Sequence, residues 1–148
     1  MKAVLVHHAD AMMPHQDPQR PLTTRGHAQV EWLAEQVKAA GLTPAAIWHS
    51  GKLRSRQTAE PFYRLCNPFA SFTMVRGLGP DDPPSAIRDV LLRETRDVLL
   101  VGHRPSIFWL LRLMAPESAQ FPTHGLVVLE FEDESITWRE LWRAEARI

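Results

Sequence analysis

The first eight residues, MKAVLVHH at positions 1–8, decide the fold class of this chain. Residues 3–6 form a short, uninterrupted apolar run, which is typical of a strand buried on both faces. The run ends in two histidines, His7 and His8. Such strands occur mainly in parallel sheets that are covered by helices. The stretch therefore predicts an α/β protein with polar side chains at the end of its first strand.

Short apolar runs and helical patterns alternate along the rest of the chain, which favours an α/β fold with a largely parallel sheet. Helical periodicity predicts four helices. The first has Thr24 as its N-cap and the second kinks at Pro61. The third helix has Asp82 as its N-cap, and the fourth begins at Pro105. The predicted strands are residues 3–6, 45–48, 71–75, 98–101, 126–131 and 136–142. The last two are expected to be antiparallel to each other, with a turn at 133–135.

Length and composition limit the classes of function. The 148 residues suit one compact domain, 1–148, and the net charge is zero, with 17 basic and 17 acidic residues. A neutral chain argues against a broad surface for nucleic acid or membrane. Cys66 is the lone cysteine, and no apolar stretch approaches the ~20 residues of a spanning helix, so we expect a cytoplasmic protein.

Conspicuous polar residues follow three of the predicted strands. The first strand leads to His7 and His8, the second to Ser50 and Arg54, and the fourth to His103. Because ligands of open parallel sheets bind outside the carboxyl ends of the strands, we expect these side chains to meet at one edge. Two histidines and an arginine that converge at one place indicate a site for an anionic group.

Phosphate is the anion that this set of side chains suits best. A neutral imidazole can attack phosphorus and carry the phosphoryl group transiently. The planar guanidinium of arginine matches phosphate oxygens, and a second histidine can donate to them as charge spreads in the transition state. Such a site needs positioned cations more than it needs a metal.

Four segments carry a resemblance to a known family. HHA at 7–9 resembles the Arg-His-Gly signature of the histidine phosphatase superfamily, and RPLTTRG at 20–26 resembles the Arg-Pro-Leu-Thr-x-x-Gly stretch of its SixA-type phosphohistidine phosphatases. SGKLRSRQTA at 50–59 resembles the Ser-x-x-x-Arg-Ala-x-Gln-Thr-Ala segment of the family, and GHRP at 102–105 resembles its Gly-His-x-Pro segment. The segments occur in the family's order, and the resemblance extends to about Leu113.

The resemblance implies a fold and a set of roles. The fold would be phosphoglycerate-mutase-like, a three-layer α/β sandwich with a mostly parallel central sheet. His8 would be the catalytic nucleophile that accepts the phosphoryl group, with Arg54 and His103 binding the phosphoryl oxygens and Arg20 supporting the same pocket. Neither a cofactor nor a metal is implied.

His7 departs from the family pattern, because it stands where the family has arginine. An arginine is always charged, whereas the reference pKa of histidine is about 6.5. We expect His7 to be a weaker, protonatable phosphate contact, so that His7→Arg raises kcat/KM most clearly above neutral pH. The alternative is a degenerate phosphatase that binds a phosphoprotein without hydrolysing it efficiently.

The sequence indicates the substrate and the general acid less clearly than it indicates the phosphate site. Asp81 and Asp82 are the candidates for a general acid, although Asp82 is equally explained as a helix cap. A phosphohistidine substrate needs a dedicated acid less, because its imidazole departs readily once protonated. Together with the short chain, which leaves little room for a lid, this favours a phosphorylated protein, such as a histidine-containing phosphotransfer domain. A small phosphate ester is the alternative.

A metal site is the weaker interpretation of the histidines. His7 and His8 are adjacent, and a regular strand would aim neighbouring side chains apart. The other histidines, at positions 15, 27, 49 and 124, show no recognised ligand spacing. Cys66 falls on the apolar stripe of its helix, so we expect it to be buried and inert.

Overall fold

The computed structural model describes residues 1–133 and 136–147. In chain order, the helices and strands of this part of the chain are β1 Lys2–His7, α1 Thr24–Ala39, β2 Ala46–His49, α2 Leu53–Cys66, β3 Ser71–Met74, α3 Pro84–Arg93, β4 Val98–Gly102, α4 Ser106–Met114, β5 Gly125–Glu132 and β6 Thr137–Glu145. Each strand and helix expected from the sequence is present, with ends that differ by a few residues.

The strands form one sheet in the order β3-β2-β4-β1-β5-β6. β1 pairs in parallel with β4, β4 with β2 and β2 with β3, whereas β5 is antiparallel to both β1 and β6. The mostly parallel sheet is therefore confirmed, as is the antiparallel pairing of the last two strands. Of their predicted turn, Glu134 and Ser135 lie outside the described residues.

Helices cover both faces of the sheet and make three layers. In β1, Ala3 and Leu5 pack into a core under α3 and α4, whereas Val4 and Val6 pack into a second core under α1 and α2. This alternation follows from the two-residue period of a strand, and it explains why the run at 3–6 is apolar throughout. The fold is the three-layer α/β sandwich with a mostly parallel central sheet that the resemblance implies.

Two predicted helix caps are wrong. Thr23, and not Thr24, caps α1, because its hydroxyl accepts the N–H of Gly26 at 2.9 Å. Asp82 does not cap α3, which begins at Pro84 after Pro83; its carboxylate instead accepts the N–H of Gly79 at 2.7 Å. Sequence patterns locate helices more reliably than they locate their first residue.

Cys66 lies on the buried face of α2, as its position on the apolar stripe predicts. Cys66 is buried, and burial raises the pKa of its thiol to about 11, so it is an inert thiol as expected. None of the helices in the described ranges is long and apolar enough to cross a bilayer.

Candidate active site

The carboxyl ends of β1, β4 and β2 lie side by side and bring three histidines to one edge of the sheet. His8, just beyond β1, donates its backbone N–H to the carbonyl of Gly102, the last residue of β4, at 3.2 Å. The ring of His103 follows directly, and its centroid lies 5.0 Å from that of His8. The convergence expected from the sequence is thus present in the fold.

Two arginines surround these rings with positive charge. Arg54 lies in the first turn of α2, and Arg20 lies in the loop between β1 and α1. Both guanidinium groups act on His8 and on His103, where they lower the pKa of the imidazoles. Arg20 is oriented by a hydrogen bond from its Nε to the carbonyl of Met12 at 2.8 Å, and its backbone has a left-handed φ of 51°.

Side chains from α1 and α2 hold the loop that follows His8. The N–H of Ala9 donates to the hydroxyl of Thr58 at 3.0 Å, and the N–H of Asp10 donates to the amide oxygen of Gln29 at 2.9 Å. Gly26 in α1 approaches this loop so closely that a Cβ atom there would lie 2.0 Å from the carbonyl oxygen of Asp10. The glycine of the RPLTTRG segment is therefore sterically required.

His8 is prepared for nucleophilic attack. Its Nδ1 lies 2.8 Å from the carbonyl of Ala9 and must donate to it, which leaves the lone pair on Nε2. Burial, and then the charges of Arg54, His124 and Arg20, lower its pKa to about 4. The ring is neutral at pH 7 and retains the electron pair that a nucleophile needs.

His103 is held by a serine from the neighbouring strand end. Its Nε2 lies 2.6 Å from the hydroxyl oxygen of Ser50, just after β2. Burial, then His8 and Arg54, lower the pKa of His103 to about 3, so this ring is neutral as well. Its Nδ1 is buried.

His7 does not behave as the protonatable contact expected from the sequence. Its Nδ1 accepts the backbone N–H of His124 at 2.9 Å, which places its one proton on Nε2. Burial, then the neighbouring His8 and His124, lower its pKa to about 2. Because burial and this hydrogen bond keep His7 neutral throughout the physiological range, we now expect any benefit of His7→Arg to be independent of pH there.

Three buried polar atoms at this edge lack a hydrogen-bond partner. They are Nε2 of His7, Nε of Arg54 and Nδ1 of His103; in residues 1–133 and 136–147 the other such atom is Nε1 of Trp138. A buried polar group without a partner is costly and rare, so a cluster of them points to a ligand. Nε2 of His7 and Nε of Arg54 carry protons, which suits an oxyanion.

His124 is part of the site, although the sequence analysis did not place it there. It precedes β5, and because β5 is antiparallel to β1, the residue before β5 reaches the same edge as the residues after β1. Its ring stacks on that of His7, with centroids 4.9 Å apart, and its Nδ1 donates to the carbonyl of His8 at 2.7 Å. Only the pairing of β5 with β1 could have revealed it, and local sequence patterns do not predict that pairing.

The side chains of His7 and His8 do not point apart, as neighbouring residues of a regular strand would. Their ring centroids are 4.8 Å apart, because His8 lies beyond the end of β1 and no longer follows the strand's alternation. One nitrogen from each of His7, His8 and His124 lies within 4.8 Å of the others. However, the lone pair of His7 is engaged by the N–H of His124, so the three rings do not offer three free lone pairs to a metal.

Asp81 and Asp82, the predicted acids, line a cavity of about 590 Å³ that also contains Ser50, the partner of His103. The carboxylate of Asp82 is engaged by Gly79 N–H. Their role as a general acid stays a prediction.

The first half of the chain matches a known protein family. Residues 4–74, which include His8, Arg20 and Arg54, match the family model of the histidine phosphatase superfamily (branch 1). No curated protein sequence matches the chain significantly.

Solved structures are similar over nearly the whole length. The protein histidine phosphatase SixA complexed with tungstate is 23% identical, with a TM-score of 0.86 over 99% of this chain and 97% of that one. A protein described as a phosphohistidine phosphatase SixA from Agrobacterium tumefaciens is 24% identical, with a TM-score of 0.78 over 97% and 96%. A phosphoserine phosphatase mutant from Entamoeba histolytica in complex with phosphoserine is 14% identical, with a TM-score of 0.69 over 99% and 98%. The family match confirms that this chain resembles the histidine phosphatase superfamily, and the chain shares its fold with the SixA structures.

Proposed function

We propose that this protein is a phosphatase that transfers a phosphoryl group to Nε2 of His8 and then releases it to water. The observation that carries the proposal is the state of His8: Nδ1 donates to Ala9, and the free lone pair of Nε2 belongs to a ring that is buried between cations. A neutral imidazole in a pocket of unpartnered donors suits attack on phosphorus.

The reaction has two steps. In the first, Nε2 of His8 forms a bond to phosphorus while the bond from phosphorus to the leaving group breaks, and the leaving group takes up a proton from solvent water. In the second, water attacks phosphorus and gives up a proton to solvent, the bond from phosphorus to His8 breaks, and inorganic phosphate is released. Arg54, Arg20 and the buried N–H groups stabilise the charge on the phosphoryl oxygens in both steps.

The proposal assigns no metal to this chemistry. The guanidinium groups of Arg20 and Arg54 supply positive charge to the pocket, as their effects on His8 and His103 indicate. The hydrogen bond that engages Nδ1 of His7 disfavours a three-histidine metal site. We therefore expect chelators to leave the rate of phosphate release unchanged.

Phosphohistidine on a protein is the substrate class that we favour. The carboxylate of Asp82 is engaged by Gly79, so a leaving group that departs easily once protonated, such as imidazole, fits this pocket well. The resemblance to proteins named as phosphohistidine phosphatases supports the same class. The partner would be a phosphorylated protein such as a histidine-containing phosphotransfer domain.

Comparing three substrates with two variants tests the proposal. The substrates are a phosphotransfer domain phosphorylated on histidine, a phosphoserine peptide and 4-nitrophenyl phosphate. His8→Asn is the informative variant, because its amide can still donate to the carbonyl of Ala9 while the nucleophilic atom is lost. His27→Asn, at an exposed histidine of α1, is the matched control.

We expect phosphate release from phosphohistidine to be the fastest of the three, and His8→Asn to lower it by on the order of 10³-fold or more. The control should match the wild type. Release that is undiminished in His8→Asn would contradict the proposal. Tight binding of the phosphorylated domain with no release by the wild type would instead support the degenerate, phosphoprotein-binding alternative, which the replacement at His7 favours.

A further inference from the structure

His7 and His124 form a stacked pair beside His8, and backbone hydrogen bonds fix both rings. The ring planes are nearly parallel, at 9°, and the centroids are 4.9 Å apart. Nδ1 of His7 accepts the N–H of His124 at 2.9 Å, and Nδ1 of His124 donates to the carbonyl of His8 at 2.7 Å. Both Nδ1 atoms are therefore used, and both Nε2 atoms remain available for another partner.

These two Nε2 atoms differ in what they offer. Nε2 of His7 carries the proton of a neutral ring and is buried without a partner. Nε2 of His124 lies 3.9 Å from a carboxylate oxygen of Asp10, within the range of an ion pair. One ring nitrogen of each of His7, His8 and His124 lies within 4.8 Å of the others, so the three rings share one small region of the pocket.

We propose that His7 and His124 together replace the arginine that the superfamily has at position 7. In this arrangement Nε2 of His7 and Nε2 of His124 both contact phosphoryl oxygens, and His7 donates the N–H that its ring retains. Two stacked imidazoles thus provide the two phosphate contacts that the guanidinium of an arginine provides in other members of the superfamily. This inference rests on the proposed function, because it assigns a further phosphate-binding residue to the same pocket.

The surroundings of His124 support this role. The titratable and charged groups facing it are His7 at the end of β1, His8 just beyond it, and Asp10, whose carboxylate is held by the hydroxyl of Thr23 at 2.7 Å. His124 also has a left-handed φ of 49°, a conformation that is costly for a residue with a side chain and that is concentrated at functional sites. The fold thus tolerates a strained backbone where this ring enters the pocket.

His124→Asn separates the phosphate contact from the structural role of the residue. Asparagine tolerates a left-handed φ better than most residues, and its side-chain amide can donate to the carbonyl of His8 as Nδ1 does. The substitution leaves the backbone N–H that bonds to His7, but it removes Nε2. His124→Gln, which places an amide N–H near the position of Nε2, is the conservative variant.

The measurement is the dissociation constant of inorganic phosphate, taken by titration calorimetry on the full chain. We expect His124→Asn to weaken binding by roughly 10- to 100-fold, the size of a hydrogen bond to a charged group, with a smaller loss in His124→Gln and none in the control His27→Asn. A dissociation constant for His124→Asn within about threefold of the wild-type value would overturn the inference.

A second arm tests the replacement of arginine. In a His7→Arg background the guanidinium supplies both donors, so His124→Asn should now cost less than about threefold, well below its effect in the wild type. An equal loss in both backgrounds would overturn the replacement. If His7→Arg does not fold, the single variant His124→Asn still decides whether Nε2 of His124 binds phosphate.

The outcome is separable from that of the proposed function. Phosphate binding does not require turnover, so a loss in His124→Asn would stand even if the wild type released no phosphate. Conversely, hydrolysis that depends on His8 together with undiminished phosphate binding in His124→Asn would leave the proposed function intact and refute this inference.

Discussion

Nδ1 of His7 accepts the backbone N–H of His124 at 2.9 Å, across 117 positions of sequence. This hydrogen bond decides the chemistry of position 7, because a ring that accepts at Nδ1 keeps its proton on Nε2 and cannot gain a second one without losing the bond. Burial reinforces this by lowering the pKa of His7 to about 2. The pocket therefore contains a neutral donor where the sequence suggested a titrating cation.

Substitutions at position 7 test that donor. His7→Asn retains an acceptor for the N–H of His124 but removes Nε2–H, and we expect kcat/KM for phosphohistidine to fall by about 10²–10³-fold, as for the loss of one transition-state donor. His7→Gln places an amide N–H near the lost atom and should lose less. Steady-state kinetics at pH 7 distinguish the two, and equal rates for His7→Asn and the wild type would exclude a role for Nε2.

Ser50 is expected to act through His103. Its hydroxyl lies 2.6 Å from Nε2 of His103, so Ser50→Ala leaves that nitrogen without a partner and lets the ring turn. We expect kcat/KM to fall by about 10- to 100-fold, the usual effect of removing a group that orients a functional histidine. Ser50→Thr, which keeps the hydroxyl, should restore most of the activity, and Ser71→Ala on the exposed β3 is the control. A Thr variant as impaired as the Ala variant would refute a role for the hydroxyl.

Gly26→Ala tests the packing of α1 against the loop that follows His8. The added Cβ would lie 2.0 Å from the carbonyl oxygen of Asp10, so the loop must move. We expect a loss of about 1–3 kcal/mol in the free energy of unfolding, together with a fall in kcat/KM. Denaturant unfolding measures the first quantity. The control is Ala28→Ser, at an exposed position of the same helix, which should lower the free energy of unfolding by less than about 1 kcal/mol. A Gly26→Ala variant with wild-type stability and rate would contradict the steric reason for this glycine.

The stability of the protein should fall as the pH falls below neutrality. The folded-state pKa values of His7, His8 and His103 are lowered to about 2, 4 and 3, whereas the unfolded chain binds protons near pH 6.5. Between about pH 6.5 and pH 4 the unfolded state therefore binds more protons, and each buried histidine contributes up to about 1.4 kcal/mol of lost stability per pH unit.

Urea unfolding at pH 7.5, 6 and 5 measures this slope. His7→Asn removes one of the three groups, so its stability should depend on pH less steeply than that of the wild type. The exposed His27→Asn should leave the slope unchanged. Parallel curves for the wild type and His7→Asn would show that His7 takes up a proton equally well in the folded protein.

Much of the site was predictable, because its first elements are local in sequence. The apolar run at 3–6 and the run at 98–101 each end in a histidine, and the topology rule for parallel sheets places those ends together. The motif residues Arg20 and Arg54 lie near the same rings, as their effects on the pKa values of His8 and His103 indicate. For these residues, strand ends and motif spacing were sufficient.

What the sequence did not reveal depends on pairing between distant segments. His124 enters the pocket only because β5 lies antiparallel to β1, and strand neighbours are not encoded by local periodicity. The protonation of His7 depends on one backbone hydrogen bond to that same residue. The errors at the caps of α1 and α3 are local. The hydroxyl of Thr23 caps α1 one residue before the expected Thr24, whereas Pro83 precedes α3 and no side chain caps that helix.

The most direct test is to trap the phosphoenzyme. The wild type, mixed rapidly with a phosphohistidine protein and quenched in alkali, should carry one phosphoryl group on His8, located by peptide mass spectrometry and assigned to Nε2 by ³¹P nuclear magnetic resonance. His8→Asn should carry none. A phosphoryl group on another residue, or phosphate release by the wild type with no phosphorylated His8 in any quenched sample, would contradict the account.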